Sequence, residues 1–337
     1  MKAIEIRGGF GLDHLAAVER PDPRPGHGEV LVRVRAVSLN YRDLLTVRGQ
    51  YNPKQKLPLV PCSDGAGEVV AVGAGVTRVR PGDRVCANFA QRWIAGEPTR
   101  EKLRSTLGGP LDGMLAERVV LAAEGVVHAP EHLTDEEAAT LPCAGLTAWS
   151  ALVDDGGLAA GGTVLLQGTG GVSIFALQFA KLIGARAILT SSADEKLARA
   201  RELGADETIN YRQTPEWGAR VKELTGGAGA DLVVEVGGAG TLEQSLRAVR
   251  MGGTIALIGV LAGNALELPL PLIFMQRVRL QGVLVGPRES FEAMNRAIAL
   301  HRLRPVVDRV FPWTEVRAAL ELMERGAHFG KICLRID

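Results

Sequence analysis

The chain of 337 residues is short of several things, and each shortage excludes a class of protein. No apolar run approaches the roughly 20 residues that span a bilayer, and mean hydropathy is only +0.10. A membrane-spanning helix is therefore not expected. An excess of one charge is missing too: 39 basic residues face 38 acidic ones, for a formal net charge of +1. That balance gives no means of neutralising a nucleic-acid backbone or of holding an anionic membrane surface. Cysteines number four, at 62, 86, 143 and 333, with no CxxC pair among them. A chain of this size does not suit a disulfide scaffold. The opening Met1–Arg7 alternates like a strand and lacks the apolar core of an export signal, so the cytoplasm is the expected compartment.

What the chain does have is length and glycine punctuation. Chains beyond about 250–300 residues divide their core, so two lobes are expected. The first 125 or so residues read as β-rich: Val30, Val32, Val34 and Ala36 alternate with their neighbours at the period of a strand. Further short strands are expected around Gly65–Gly73 and Pro81–Val85, between glycine turns. From about residue 128 the pattern changes. Thr134 with Glu137 fits a capping box at the start of a helix. Strands at 164–167, 187–190, 208–210, 232–236, 254–258 and 278–285 then alternate with helical stretches, which predicts parallel β-α-β units in a doubly wound sheet. The last 50 or so residues are too few for a domain of their own and are expected to pack on the first lobe. The expected division is 1–127 with 287–337 for the β-rich lobe, and 128–286 for the Rossmann lobe.

Val164-Leu165-Leu166-Gln167-Gly168-Thr169-Gly170-Gly171-Val172-Ser173 carries the clearest local signal, because it joins a predicted strand to a predicted helix. Gly168 permits a tight turn, Gly170 lets the backbone approach a pyrophosphate, and Ser173 stands at the close helix–strand contact. Thr169, Gly171 and Val172 complete the turn, and the helix N-terminus offers N–H groups and partial positive charge to phosphates. About 20 residues on, an NAD enzyme places an acid to bind the ribose hydroxyls. Here the position reads Thr190-Ser191-Ser192, followed by Asp194, Glu195 and Lys196. Two hydroxyls and an ammonium suit a 2′-phosphate, so NADPH is the expected cofactor. The alternative is that Asp194 caps the next helix while Lys196 lies on its solvated face.

These segments, together with Gly28-Glu29-Val30, Asn40-Tyr41-Arg42-Asp43, Gly65-Ala66-Gly67-Glu68-Val69, Leu141-Pro142-Cys143-Ala144-Gly145-Leu146-Thr147 and Gly330-Lys331, resemble the medium-chain dehydrogenase/reductase superfamily. The likeness covers nearly the whole chain and is greatest to the zinc-free, quinone-oxidoreductase-like branch. It implies an α/β architecture: a GroES-like β-rich catalytic domain plus a Rossmann domain, with the nicotinamide in the cleft between them. It also implies cofactor contacts at Thr147, Tyr211, Gly237, Gly259, Val285 and Lys331. Zinc-dependent relatives hold catalytic zinc with a Cys, a His with its neighbouring Glu, and a second Cys. The matching positions here are Asn40, Ser63 with Asp64, and Cys143, a poor set for zinc. A cysteine-free insert including Trp93–Pro98 stands where the structural zinc lobe would lie, so no metal is expected.

Without a Lewis acid, hydrogen-bond donors must polarise the substrate carbonyl. Asn40 and Tyr41 are the first candidates for that role. Asp64 and Asp43 would orient them, unless Asp43 pairs with an arginine to hold the structure. Cys143 belongs to the candidate catalytic group or, alternatively, to the pocket wall. The leading expectation is an NADPH-dependent reductase of quinones, enones or other activated carbonyls. An NAD(P)-dependent alcohol dehydrogenase acting as a ketone reductase is the second, and a non-catalytic NADPH-binding sensor the third. A homodimer is expected through the apolar strand Val278–Val285, which would lie at a sheet edge.

Overall fold

Valines alternating with arginine and leucine shape the longest strand of the chain, Glu29–Ser38, whose even positions are buried from Val30 onward. The computed structural model describes all residues, Met1–Asp337. In chain order the strands are β1 (Lys2–Ile6), β2 (Leu15–Glu19), β3 (Glu29–Ser38), β4 (Asp64–Val72), β5 (Arg84–Ala87), β6 (Arg118–Ala122) and β7 (Val126–His128). They continue with β8 (Thr163–Gln167), β9 (Arg186–Ser191), β10 (Glu207–Asn210), β11 (Ala230–Glu235), β12 (Val249–Leu257) and β13 (Arg279–Gly282). The last two are β14 (Val307–Pro312) and β15 (Lys331–Arg335).

The chain forms two units, Met1–Leu146 with Val285–Asp337, and Thr147–Leu284. In the first, strands run in the order β14-β15-β3-β4-β5-β7, with β6 also paired to β3. The C-terminal tail returns as expected: β15 lies antiparallel to β3, with Cys333 opposite Ser38. Its core gathers Val30, Val32, Val34, Leu44, Val69, Met114, Leu320 and Ile332. The cysteine-free insert is held by hydrogen bonds. Arg42 donates to Leu107 O (3.0 Å) and Gly109 O (3.2 Å), and its guanidinium lies over Tyr51 and Phe89. Farther along, Trp93 O and Ile94 O accept from the first N–H groups of the Arg288–His301 helix.

The second unit is a six-stranded parallel sheet in the order β10-β9-β8-β11-β12-β13. Its central strand β8 is buried from Val164 to Gln167, because helices cover both faces of such a sheet. The Gly171–Ile183 helix follows β8 and stops at Gly184, whose φ of +84° is the left-handed ending that glycine adopts at least cost.

Two expectations need correction. The division falls after Leu146 and Leu284, not after residues 127 and 286. The capping box at Thr134 and Glu137 does form, with Glu137 N donating to Thr134 Oγ1 at 3.2 Å. Yet the helix it starts, Asp135–Ala139, belongs to the first unit. Arg84–Asp135 (2.7 Å), Arg335–Glu136 (2.6 Å) and Arg304–Glu137 (2.7 Å) tie it there. The sixth strand is also shorter than its apolar run: β13 covers only Arg279–Gly282, and Val283 and Val285 are buried outside it.

Candidate active and cofactor-binding sites

In the first unit a group of charged and amide side chains is buried together. Asn40 stands before the Tyr41–Val47 helix, where its main-chain N–H donates to Asp43 Oδ2 at 2.8 Å. Lys331, the first residue of β15, is 4% exposed and donates to Leu39 O (2.5 Å) and Asn40 Oδ1 (2.6 Å). An ammonium has only donors, so the oxygen of the Asn40 amide must face it. The Nδ2 end is thereby turned away from Lys331 and buried on the side of Asp64, whose charged form it favours. Asp64 is fully buried at the start of β4 and accepts from Ser63 Oγ (2.7 Å) and the Cys143 N–H (3.0 Å). Burial raises its carboxyl from 3.8 to about 6, against the opposing pull of Lys331 and Asn40. Burial also pushes the Cys143 thiol well above its usual value, followed in effect by the charge of Asp64. Cys143 thus contributes its main-chain N–H and keeps its thiol proton. Tyr41 is partly open to solvent.

Asp43 does not hold a close ion pair with Arg42, whose nearest nitrogen is 3.8 Å away. Its Oδ2 accepts the main-chain N–H of Asn40, the reciprocal half of the capping box of the Tyr41–Val47 helix. Lys331, expected among the cofactor contacts, donates to the Asn40 side chain.

In the second unit, Gly168 turns the chain at the end of β8 with φ +70°. Gly170 has ordinary extended backbone, and a Cβ built on it would meet no atom within 4 Å. Packing places no demand for glycine there; open space over the backbone is what an approaching pyrophosphate needs. No side chain caps the first turn of the Gly171–Ile183 helix, so its N–H groups are available to a phosphate. Ser173 is buried and donates to Gln167 O at 2.6 Å, fixing the close contact of helix and strand. Thr147 and Thr169 are buried, while Gly171 and Val172 are partly exposed. These residues fit the pyrophosphate of a dinucleotide.

The end of β9 carries no acid. Ser191 is buried, Ser192 and Lys196 are partly exposed and Tyr211 is exposed. Asp194 is not the helix cap: the Asp194–Glu202 helix is entered from Ala193. Its carboxylate accepts from Asn210 Nδ2 (2.7 Å) and Gln213 Nε2 (3.0 Å), and Tyr211 N donates to Ser191 O. The 210–213 turn is thus fastened beside the two serines.

Gly237 and Gly259 have another reason to be glycine. A Cβ at 237 would lie 2.3 Å from Thr241 Oγ1, and one at 259 would lie 2.4 Å from Val236 O. Val285 is buried at φ +50°, a backbone conformation that β-branched residues rarely adopt. The pattern of residue types missed one buried group, Glu235 with Gln167. Its signal was present, an acid closing the apolar strand Leu232–Val236.

Residues 26–131 match the alcohol dehydrogenase GroES-like domain family and residues 171–299 the zinc-binding dehydrogenase family. A zinc-type alcohol dehydrogenase-like protein of Schizosaccharomyces pombe is 43% identical over 97% of this chain and 96% of its own length. The chain belongs to the medium-chain dehydrogenase/reductase superfamily. This is a family of oxidoreductases, and its members vary in substrate and cofactor. An acryloyl-coenzyme A reductase of Metallosphaera sedula is 30% identical over 99% of both chains. Among solved structures, an NAD-dependent alcohol dehydrogenase superposes with TM-score 0.92 at 36% identity over 100% of both chains. A mycobacterial protein complexed with NADPH does so at 0.84 and 29%, again over 100% of both.

The zinc named by one matched family does not fit the residues present. The Asn40 oxygen already faces an ammonium at 2.6 Å, a position that would repel a divalent cation. An asparagine oxygen and a serine hydroxyl stand where the zinc pattern has a cysteine and a histidine, and zinc prefers the latter two.

Gly170→Asp should abolish dinucleotide binding in a protein that still folds, because its side chain has room but its charge meets the phosphates. Cofactor fluorescence titration checks this, and unchanged affinity would remove the turn from the site. A second outcome follows from Asp64, whose proton is held to about pH 6 in the folded chain against an ordinary value of 3.8. Its raised folded pKa means that acidification through this range stabilises the fold. Between pH 7.5 and 5 the wild type should gain about 1 kcal/mol over Asp64→Asn in chemical denaturation. A difference that stays constant with pH would show that Asp64 does not titrate there.

Proposed function

We propose that this chain is a zinc-independent, NADPH-dependent cytoplasmic oxidoreductase that reduces a quinone, an enone or another activated carbonyl. The observation that carries this reading is the buried Asn40 amide, whose oxygen is held by Lys331 so that its donor end is fixed in place. A donor already fixed by the fold needs little reorganisation when a substrate oxygen arrives. Asn40 then stabilises the charge that develops on that oxygen, as fixed donors do in other carbonyl chemistry. The Tyr41 hydroxyl is the more accessible second donor. Asp64, titrating close to neutrality, stores the proton that the reduced product must take up. When bound, the nicotinamide supplies the hydride.

For the cofactor, Ser192, Lys196 and Tyr211 with the buried Ser191 leave the end of β9 without the acid that selects NAD. The NADPH complex of a family member supports this choice, although another relative is an NAD enzyme. The acryloyl-coenzyme A reductase supports an activated double bond as the acceptor. Reversible ketone and alcohol chemistry is the second reading, favoured by the relatives named alcohol dehydrogenases.

A homodimer belongs to the same proposal. Strand β13 is at one end of its sheet, and Met251, Leu270, Phe274 and Met275 in the same unit are all more than 60% exposed. An unpaired edge beside exposed apolar side chains is what a second copy would cover.

NADPH should bind at least about tenfold tighter than NADH, a difference of about 1.4 kcal/mol. Its oxidation should proceed with a quinone or an enal in the presence of chelator. Equal dissociation constants would overturn the cofactor assignment, and activity lost on chelation would overturn zinc independence. In sedimentation at micromolar concentration the expected species is twice the 35.8 kDa of one chain; a monomer alone would exclude the dimer.

A further inference from the structure

Gln167 ends β8 and Glu235 ends β11, the neighbouring strands at which the sheet reverses its order. Glu235 is fully buried and pairs with no cation. Its Oε1 accepts from Gly237 N (2.8 Å), Gly238 N (2.9 Å) and the Thr241 hydroxyl (2.5 Å). Its Oε2 accepts from Gln167 Nε2 (2.7 Å) and Ser245 Oγ (2.5 Å). Gln167 in turn accepts from Val236 N at 3.3 Å, and its main-chain oxygen accepts from Ser173. A buried carboxylate without a counter-ion is tolerated only when donors surround it. Here those donors come from the turn after β11, from the end of β8 and from the helix at 242–248.

We propose that Glu235 is a positioning residue for the dinucleotide, fixing the Gly168–Ser173 turn and the Val236–Thr241 turn at one separation. The inference rests on the dinucleotide reading of Gly168–Ser173. In a doubly wound sheet the dinucleotide lies outside the carboxyl ends of the strands where their order reverses. Both turns leave the sheet at that place. The second is already joined to the 259–263 turn, through Ala262 N to Gly237 O (2.7 Å) and Ala239 N to Gly263 O (2.9 Å). The first turn has open space over Gly168 and Gly170, and Glu235 adds a side-chain tie to it at the end of the β8–β11 ladder.

Chemistry makes the role separable from simple burial. In Glu235→Gln the new amide nitrogen cannot face Gly237 and Gly238, whose main-chain N–H groups are fixed donors. It must face Gln167 and Ser245. The serine hydroxyl can rotate to accept, but Gln167 has to flip, which sets its own NH2 against the Val236 N–H. Positions 235 and 167 then bond in the reverse direction, but the Val236 N–H loses its acceptor and meets an NH2, which pushes the turn after β11 away from the end of β8. Exchanging the two residues, Gln167→Glu with Glu235→Gln, restores a matched set. The amide now at position 235 would donate to the carboxylate now at position 167, which still accepts from the Val236 N–H. The oxygen of that amide would still accept from Gly237 and Gly238.

The test is fluorescence titration with NADPH and with NADH, beside thermal unfolding of each variant. Glu235→Gln should raise the dissociation constant about tenfold or more, and the exchanged double variant should return to within about threefold of wild type. Wild-type affinity in a folded Glu235→Gln overturns the proposal. So does a double variant that matches the wild type in melting temperature yet binds as weakly as the single one. If Glu235→Gln does not fold, the exchanged variant alone decides: at wild-type melting temperature it should bind within about threefold of wild type, and binding about tenfold weaker or more overturns the proposal. A wild type that binds neither dinucleotide refutes the underlying reading and the proposal with it, an outcome visible before any variant is made.

Discussion

Strand order reverses once in the second unit, between β8 and β11, and the polar chemistry of that unit is arranged around this reversal. Connections leaving two adjacent parallel strands in opposite directions open a crevice at their carboxyl ends. The sheet below it is packed with Leu165, Val233 and Ile255, all fully buried. Any polar group at the floor of the crevice therefore has to be satisfied by its immediate neighbours. Thr241 and Ser245 provide hydroxyls on one side of Glu235, and Gln167 provides an amide on the other. Removing Ser245 would take an acceptor from the Gln167 amide, and removing Gln167 would take one from the Val236 N–H, so these residues form one interdependent set.

The first unit solves a comparable problem with charge. Lys331 and Arg42 are buried with Asp43 and Asp64, two cations against two acids. Lys331 reaches Asn40 across 291 positions of sequence because β15 pairs with β3, whose end precedes Asn40. The returning tail thus completes the polar group as well as the sheet. The departures from the zinc ligand pattern also act together. An asparagine accepts from the ammonium where a thiolate would bind metal, and a serine hydroxyl donates to the neighbouring carboxylate.

Much of this was legible in the order of residues. The alternation in β3, the six strands of the parallel sheet and the turn at Gly168–Ser173 depend on local spacing, and local spacing is what a sequence displays. The boundary between units was less legible. The Thr134 capping box announces a helix but does not say which sheet receives it; that follows from Arg84, Arg304 and Arg335, which are distant in sequence. The surroundings of Lys331 and Glu235 were obscured for the same reason. The resemblance singled out Lys331, but neither its bond to Asn40 nor the burial of Glu235 shows until the partners arrive from elsewhere in the chain.

Glycine shows where sequence pattern and physical cause diverge. Gly170, Gly237 and Gly259 all belong to turns at the ends of parallel strands, and all look alike as candidates for a cofactor contact. At 237 and 259 a side chain would strike the protein itself, at 2.3 and 2.4 Å, so the fold requires glycine whether or not a ligand binds. At 170 the backbone is extended, the space is open and the fold requires nothing. A residue that leaves room unused by its own protein is informative about something outside the protein. The phosphate reading therefore rests on Gly170 and the uncapped helix behind it, and the abundance of glycine in the chain adds no weight to it.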